Sequence, residues 1–147
     1  MVRLNFPSFA LRIKEEAGGD YIWDPIRSKW YVCTPEEWVR QHVIQYLHRV
    51  LNHPLGRIGV EVALNKDHLR RSDIVVYNAF LKPEIAVECK RPSLEITRQT
   101  FDQIARYNLC LQADYLMVTN GLTHYYARVN HTKKQYDFLQ KLPIYKP

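Results

Sequence analysis

An α/β fold with a mixed sheet flanked by helices is predicted by three observations. First, Arg70–Tyr77 and Pro83–Pro92 carry apolar runs rich in β-branched residues, separated by Asn78–Pro83, which read as two adjacent antiparallel strands. Second, apolar residues recur at helical spacing in two segments: Val39, Val43, Tyr46, Leu47 and Val50, and Phe101, Ile104, Ala105, Asn108 and Leu109. Third, Tyr115–Thr119 is wholly apolar, as expected of a buried parallel strand reached by a crossover through the second helix. The predicted core order is α-β-β-β-α-β-β.

Met1–Gly19 ends in the polar break Glu15-Glu16-Ala17-Gly18-Gly19 and reads as an N-terminal arm or loose edge element. Tyr21-Ile22-Trp23 and Trp30-Tyr31-Val32-Cys33 flank the turn signal Asp24-Pro25 and predict an N-terminal β-hairpin. Its rings, with Arg27 and Lys29, could stack on nucleic-acid bases, although a hairpin packed over the core edge is the simpler reading. Thr34-Pro35-Glu36-Glu37 is a helix start, with Thr34 as N-cap, Pro35 in the first turn and Glu37 closing a capping box. That helix is expected to run to about Leu51 and stop at Asn52-His53-Pro54.

Arg57–Leu64 alternates Ile58, Val60 and Val62 with Gly59, Glu61 and Ala63, the pattern of a first core strand. Asn65–His68 turns it into the strand of Asp73. Pro92 ends the strand of Glu88, because proline cannot continue a central ladder. The second helix lies within Thr97–Leu111, and Asn120-Gly121 supplies a hairpin turn into Thr123–Arg128. Residues 130–147 read as a tail that closes as a short helix or irregular segment. The chain is taken as one domain, residues 1–147.

Charged side chains gather at the ends of the two central strands. Glu88 and Lys90 point to one face, Val87 and Cys89 to the other, and Asp73 opens the neighbouring strand. If the strands pair, two carboxylates and an ammonium meet at the edge of an apolar sheet, where unpaired charge is costly. Mg²⁺ would compensate them, since it favours one or two carboxylates, waters and substrate phosphates. Such a site suits phosphodiester hydrolysis, with Lys90 orienting water or stabilising developing charge. From spacing alone, a solvated Glu88–Lys90 pair with Asp73 capping a turn is the simpler reading, because E-x-K is a common tripeptide.

As a set, however, Asp73, the apolar second strand and Glu88-Cys89-Lys90 resemble the PD-(D/E)-x-K nuclease signature. The wider pattern, Thr34–Arg40, Asp73, Val87–Lys90 and Gln103–Tyr107, resembles the N-terminal nuclease domain of type I restriction enzyme R subunits. The similarity runs roughly from Asp24 to Arg128, with Ser72 standing where the signature's name has proline. The resemblance implies a restriction-endonuclease-like fold. It also implies a Mg²⁺ site, with Mn²⁺ as substitute, in which Asp73 and Glu88 are ligands and the Cys89 carbonyl can add another. A glutamate of the first helix completes it: Glu36 extends the core-facing stripe and is preferred, whereas Glu37 is needed for capping. Gln103 and Tyr107, an i, i+4 pair, resemble the Q-x-x-x-Y motif of RecB-like nucleases that shapes the site and holds DNA. Against that, Thr100–Gln103 also fits a capping box.

The charge, +6 from 21 Lys and Arg against 15 Asp and Glu, suits a polyanionic partner such as DNA. Lys66, Arg70, Arg71 and Arg91 lie beside the acidic residues and are candidate phosphate contacts. Cys33, Cys89 and Cys110 are odd in number and dispersed, which argues against a disulfide framework or zinc knuckle. The six histidines show no metal or triad spacing. No apolar run is long enough for a membrane span and the start lacks an apolar signal core, so a cytoplasmic location is expected. There is no G-x-x-x-x-G-K-[ST] segment, so the motor function of a whole R subunit is not a property of this chain alone. A non-catalytic nucleic-acid or protein binding module on the same fold is the principal alternative. A glycosidase acid–base pair fits less well, since Lys90 shares the strand face of Glu88. A homodimer or a partner protein is left open.

Overall fold

A computed structural model of the chain describes residues 1–64 and 71–147. Among the described residues, nine strands form two sheets, accompanied by two α-helices. Strands β1 (Ile13–Glu16), β2 (Gly19–Asp24) and β3 (Lys29–Val32) make an antiparallel three-stranded sheet. The helix α1 (Pro35–Gln45) follows and leads into β4 (Ile58–Ala63), β5 (Arg71–Tyr77) and β6 (Pro83–Cys89). Then come α2 (Arg98–Asn108), β7 (Tyr115–Thr119), β8 (His124–Asn130) and β9 (Gln135–Leu139). Strands β4 to β9 lie side by side in chain order in one six-stranded sheet, parallel only between β6 and β7.

The mixed sheet follows from the connections. Short connections join β5 to β6, β7 to β8 and β8 to β9, while α2 supplies the long crossover that a parallel pair needs. Strand alternation divides the core in two. Ile85, Val87 and Cys89 face α1, where Val39, Val43, Ile44 and Leu47 meet Ile74, Val76 and Met117. Ala86, Leu116 and Val118 face Phe101, Ile104 and Ala105 of α2. At about 25 cal/mol per Å², these buried side chains are the main source of stability. No helix among the described residues is long and apolar enough to cross a membrane.

Four expectations need correction. The N-terminal arm contains β1, so the expected hairpin is a three-stranded sheet. The tail contains β9 rather than a helix or irregular segment: Tyr136 and Phe138 alternate with Gln135 and Asp137 after a turn in which Lys133 N–H donates to Asn130 Oδ1 (3.0 Å). The first helix stays α-helical only to Gln45 and widens into a π-helical turn at Tyr46–Val50. Its capping box is half made, because Glu37 N–H donates to Thr34 Oγ1 (3.1 Å) while the Glu37 carboxylate binds elsewhere.

Candidate active site

The register of β5 on β6 runs Val76–Ile85, Val75–Ala86 and Ile74–Val87. Continued alternation puts Asp73 and Glu88 on the face shared by Val75 and Ala86. Where that pairing ends, the N–H of Cys89 donates to Asp73 Oδ2 (2.6 Å) instead of to a backbone carbonyl. The side chain of Asp73 thus takes over the last ladder position. One residue further, Lys90 N–H donates to the Thr119 carbonyl (2.8 Å) and fixes the end of β6 on β7. Lys90 Nζ then lies 3.6 Å from Glu88 Oε1.

Beside these residues opens a cavity of about 560 Å³, lined by Arg71, Glu88, Lys90, Thr100, Gln103 and Tyr107 among others. Gln103 and Tyr107 reach it because α2 starts at Arg98, with Thr97 Oγ1 accepting from Thr100 N–H (3.2 Å). The capping box at Thr100 is therefore not formed, and Gln103 has no capping duty. Arg91 is exposed, donates to Ser93 Oγ (3.1 Å) and does not line the cavity. The side chain of Cys89 is fully buried in the α1-facing core, so only its backbone can serve the site. Lys66 and Arg70 lie outside the described residues.

Burial dominates the electrostatics. It raises the Glu88 carboxyl to about 8, helped by the charge of Asp73 and opposed by Lys90. Burial likewise raises Asp73 to about 6, against the Cys89 N–H and the Arg40 guanidinium, with Glu36 and Glu61 adding to the rise. Two carboxyls that cannot both ionise cheaply share a proton near neutrality.

Sequence reasoning missed Arg40 and Glu61. Buried Arg40 spans Asp73 Oδ1 (3.3 Å), Glu61 Oε1 (2.6 Å) and Glu37 Oε1 (3.4 Å). Burial opposes its charge, but Glu37, Asp73 and Glu61 together hold it more firmly protonated than usual. Its position three residues after Glu37 was the available signal. Glu61 had none, because it sits opposite Asp73 with a left-handed φ of 56° inside β4. Glu37 is consumed by Arg27 (2.7 Å), Arg40 and Gln41 Nε2 (3.1 Å). Glu36 is exposed, makes no ion pair among the described residues and acts electrostatically on Asp73, Glu88 and Cys89.

Among the described residues, no three His, Cys, Asp or Glu side chains gather into a ready-made metal cage. The donors nevertheless fit a hard divalent cation. Such an ion needs only one or two carboxylates and keeps water on its other positions, and two buried carboxyls short of positive charge meet that requirement.

A family model described as type I restriction enzyme R protein N terminus matches residues 35–143, well over half of the chain. No curated protein and no solved structure matches it.

Proposed function

The chain belongs to the family of type I restriction enzyme R protein N-termini, and on that premise we propose that it is a Mg²⁺-dependent nuclease hydrolysing DNA phosphodiester bonds. One observation carries the reading: a carboxyl pair, buried Asp73 and half-buried Glu88, with Lys90 3.6 Å from Glu88, beside a cavity large enough for a nucleotide. Asp73, Glu88 and the Cys89 carbonyl would hold Mg²⁺ or its substitute Mn²⁺, with Glu36 supporting from the first turn of α1. The bound ion supplies Lewis acidity, acidifying water and offsetting charge on the phosphate.

The protein's own groups do the rest. Lys90 orients the attacking water and offsets negative charge as it develops on the phosphate oxygens. Arg40 holds Asp73 in place. Gln103 and Tyr107 shape the cavity wall and hold the nucleic acid, Arg71 meets a phosphate at the rim, and Lys66, Arg70 and Arg91 add sequence-independent attraction.

Cleavage of single- and double-stranded DNA and RNA, measured with Mg²⁺, Mn²⁺ or EDTA, tests the reading. DNA cleavage supported by either ion, abolished by EDTA and absent in Asp73→Asn is expected. Binding without cleavage under every condition would instead identify a non-catalytic module, and cleavage that persists in Asp73→Asn would place the chemistry elsewhere.

A further inference from the structure

The three-stranded sheet has two unlike faces. Ile22 and Asp24 are fully buried on the inner one. The outer face carries Trp23 opposite Trp30 and Tyr21 opposite Val32, with Lys14 beside Tyr21 and Arg12 beside Trp23. The two indoles pack edge to face, with centroids 5.4 Å apart. Neither joins the apolar clusters of the main sheet, so core packing does not account for them. Two cations sit on the rings: Arg12 lies 4.8 Å from the centroid of Trp23 and 5.3 Å from that of Trp30, and Lys14, which also pairs with the exposed Glu16 (2.8 Å), lies 4.6 Å from Trp30.

We propose that this outer face is a binding platform for single-stranded DNA, separate from the cleavage cavity, on which unpaired bases stack against Trp23 and Trp30 while Arg12 and Lys14 take the flanking phosphates. Arg12 and Lys14 lie over the half-exposed indoles, and long side chains of this kind can swing from ring to phosphate, freeing ring faces for bases of any sequence. A duplex offers no exposed base faces to such a surface, so the preference is for unpaired DNA. The chain's overall charge of +6 favours the same ligand. An unbroken series of ion pairs fastens the platform to the cleft: Asp24–Arg27 (2.6 Å), Arg27–Glu37 (2.7 Å), Glu37–Arg40 (3.4 Å) and Arg40–Asp73 (3.3 Å). Platform and carboxyl pair are thereby held as one body.

The test is a fluorescence titration of the whole chain in EDTA, where no cleavage interferes, with a deoxythymidine oligonucleotide and with a duplex of equal length. Trp23 and Trp30 are two of only three tryptophans, so stacking quenches most of the emission. The single strand is expected to quench and to bind more tightly than the duplex. Trp23→Ala and Trp30→Ala are each expected to weaken it about tenfold or more, Trp30→Tyr to restore most of the loss, and Arg12→Gln to flatten the salt dependence. Circular dichroism checks that the alanine variants keep the sheet; if one does not, Trp30→Tyr and Arg12→Gln decide. Unchanged affinity in the variants, a preference for duplex or an absence of quenching would overturn the platform. The titration is made in EDTA and reads only the Trp23, Trp30 and Arg12 variants, so its outcome stays distinguishable from failure of the nuclease reading, which the cleavage assay reports.

Discussion

Two clusters of buried carboxylates lie a few ångströms apart and are built on opposite principles. At the start of α1, Glu37 meets Arg27, Arg40 and Gln41, and Asp24 meets Arg27, so every negative charge has a cation or donor. At the ends of β5 and β6, Asp73 and Glu88 share the partial attention of Arg40 and Lys90, and both are pushed upward towards the neutral form. The first cluster is complete and serves stability. The second holds its cations at longer range, which is what the proposed metal would offset. The two clusters thus differ in how closely cations approach their carboxylates, 2.6 and 2.7 Å from Arg27 in the first against 3.3 and 3.6 Å from Arg40 and Lys90 in the second.

Substitutions sharpen the contrast. The largest expected effect is that of Asp73→Asn, which removes a metal-binding charge: cleavage should fall about a thousandfold or more, with weaker Mn²⁺ binding, and a rate near that of the unmodified protein would break the contrast. Lys90→Ala should lower the rate about a hundred- to a thousandfold while Mn²⁺ affinity and melting temperature stay close to unchanged, as single-turnover rates and Mn²⁺ titration would show. In the complete cluster, Glu37→Ala takes one carboxylate away from buried Arg40, which keeps Glu61 and Asp73, and from half-buried Arg27, which keeps Asp24, and should cost about 2 kcal/mol in urea unfolding. Its neighbour Glu36→Ala should change stability by less than about 0.5 kcal/mol and act on Mn²⁺ affinity instead.

A further expected effect is on pH dependence. A carboxyl raised by folding contributes stability that is present below its ordinary range, near 4.5, and lost as pH climbs through the raised value, about 8 for Glu88. Without divalent ions, stability relative to Glu88→Gln should therefore fall by on the order of 2 kcal/mol between pH 5 and 8. Saturating Mg²⁺ should remove that slope, and identical pH profiles for the two proteins would show that Glu88 is not perturbed.

Most of the main sheet was legible in the sequence, because each element announced itself locally. The alternation at Ile58–Ala63, the β-branched runs around Asp73 and Glu88, and the Thr34-Pro35 start each needed only a few residues to read. Asp73, Glu88 and Lys90 could be brought together because strand alternation is strict. What escaped depended on distant partners. Glu37 looked like a cap residue, yet Arg27 and Arg40 outcompete the Thr34 backbone for its carboxylate. The end strand β9 was hidden by charged residues at positions 133–134 and by an edge location that leaves its alternation only half buried. The halt of α-helical geometry at Gln45 had no warning residue.

Glu61 has one more consequence, for the sheet's behaviour towards other chains. Strand β4 is an outer strand of the six-stranded sheet, with one row of backbone groups unpaired by any described strand. Such a row is a template on which a foreign strand can add. A left-handed residue in its middle turns that row out of line, so a straight incoming strand cannot zip along it. The strain at Glu61 thus doubles as a guard against edge-to-edge aggregation, placed on the strand that borders the site.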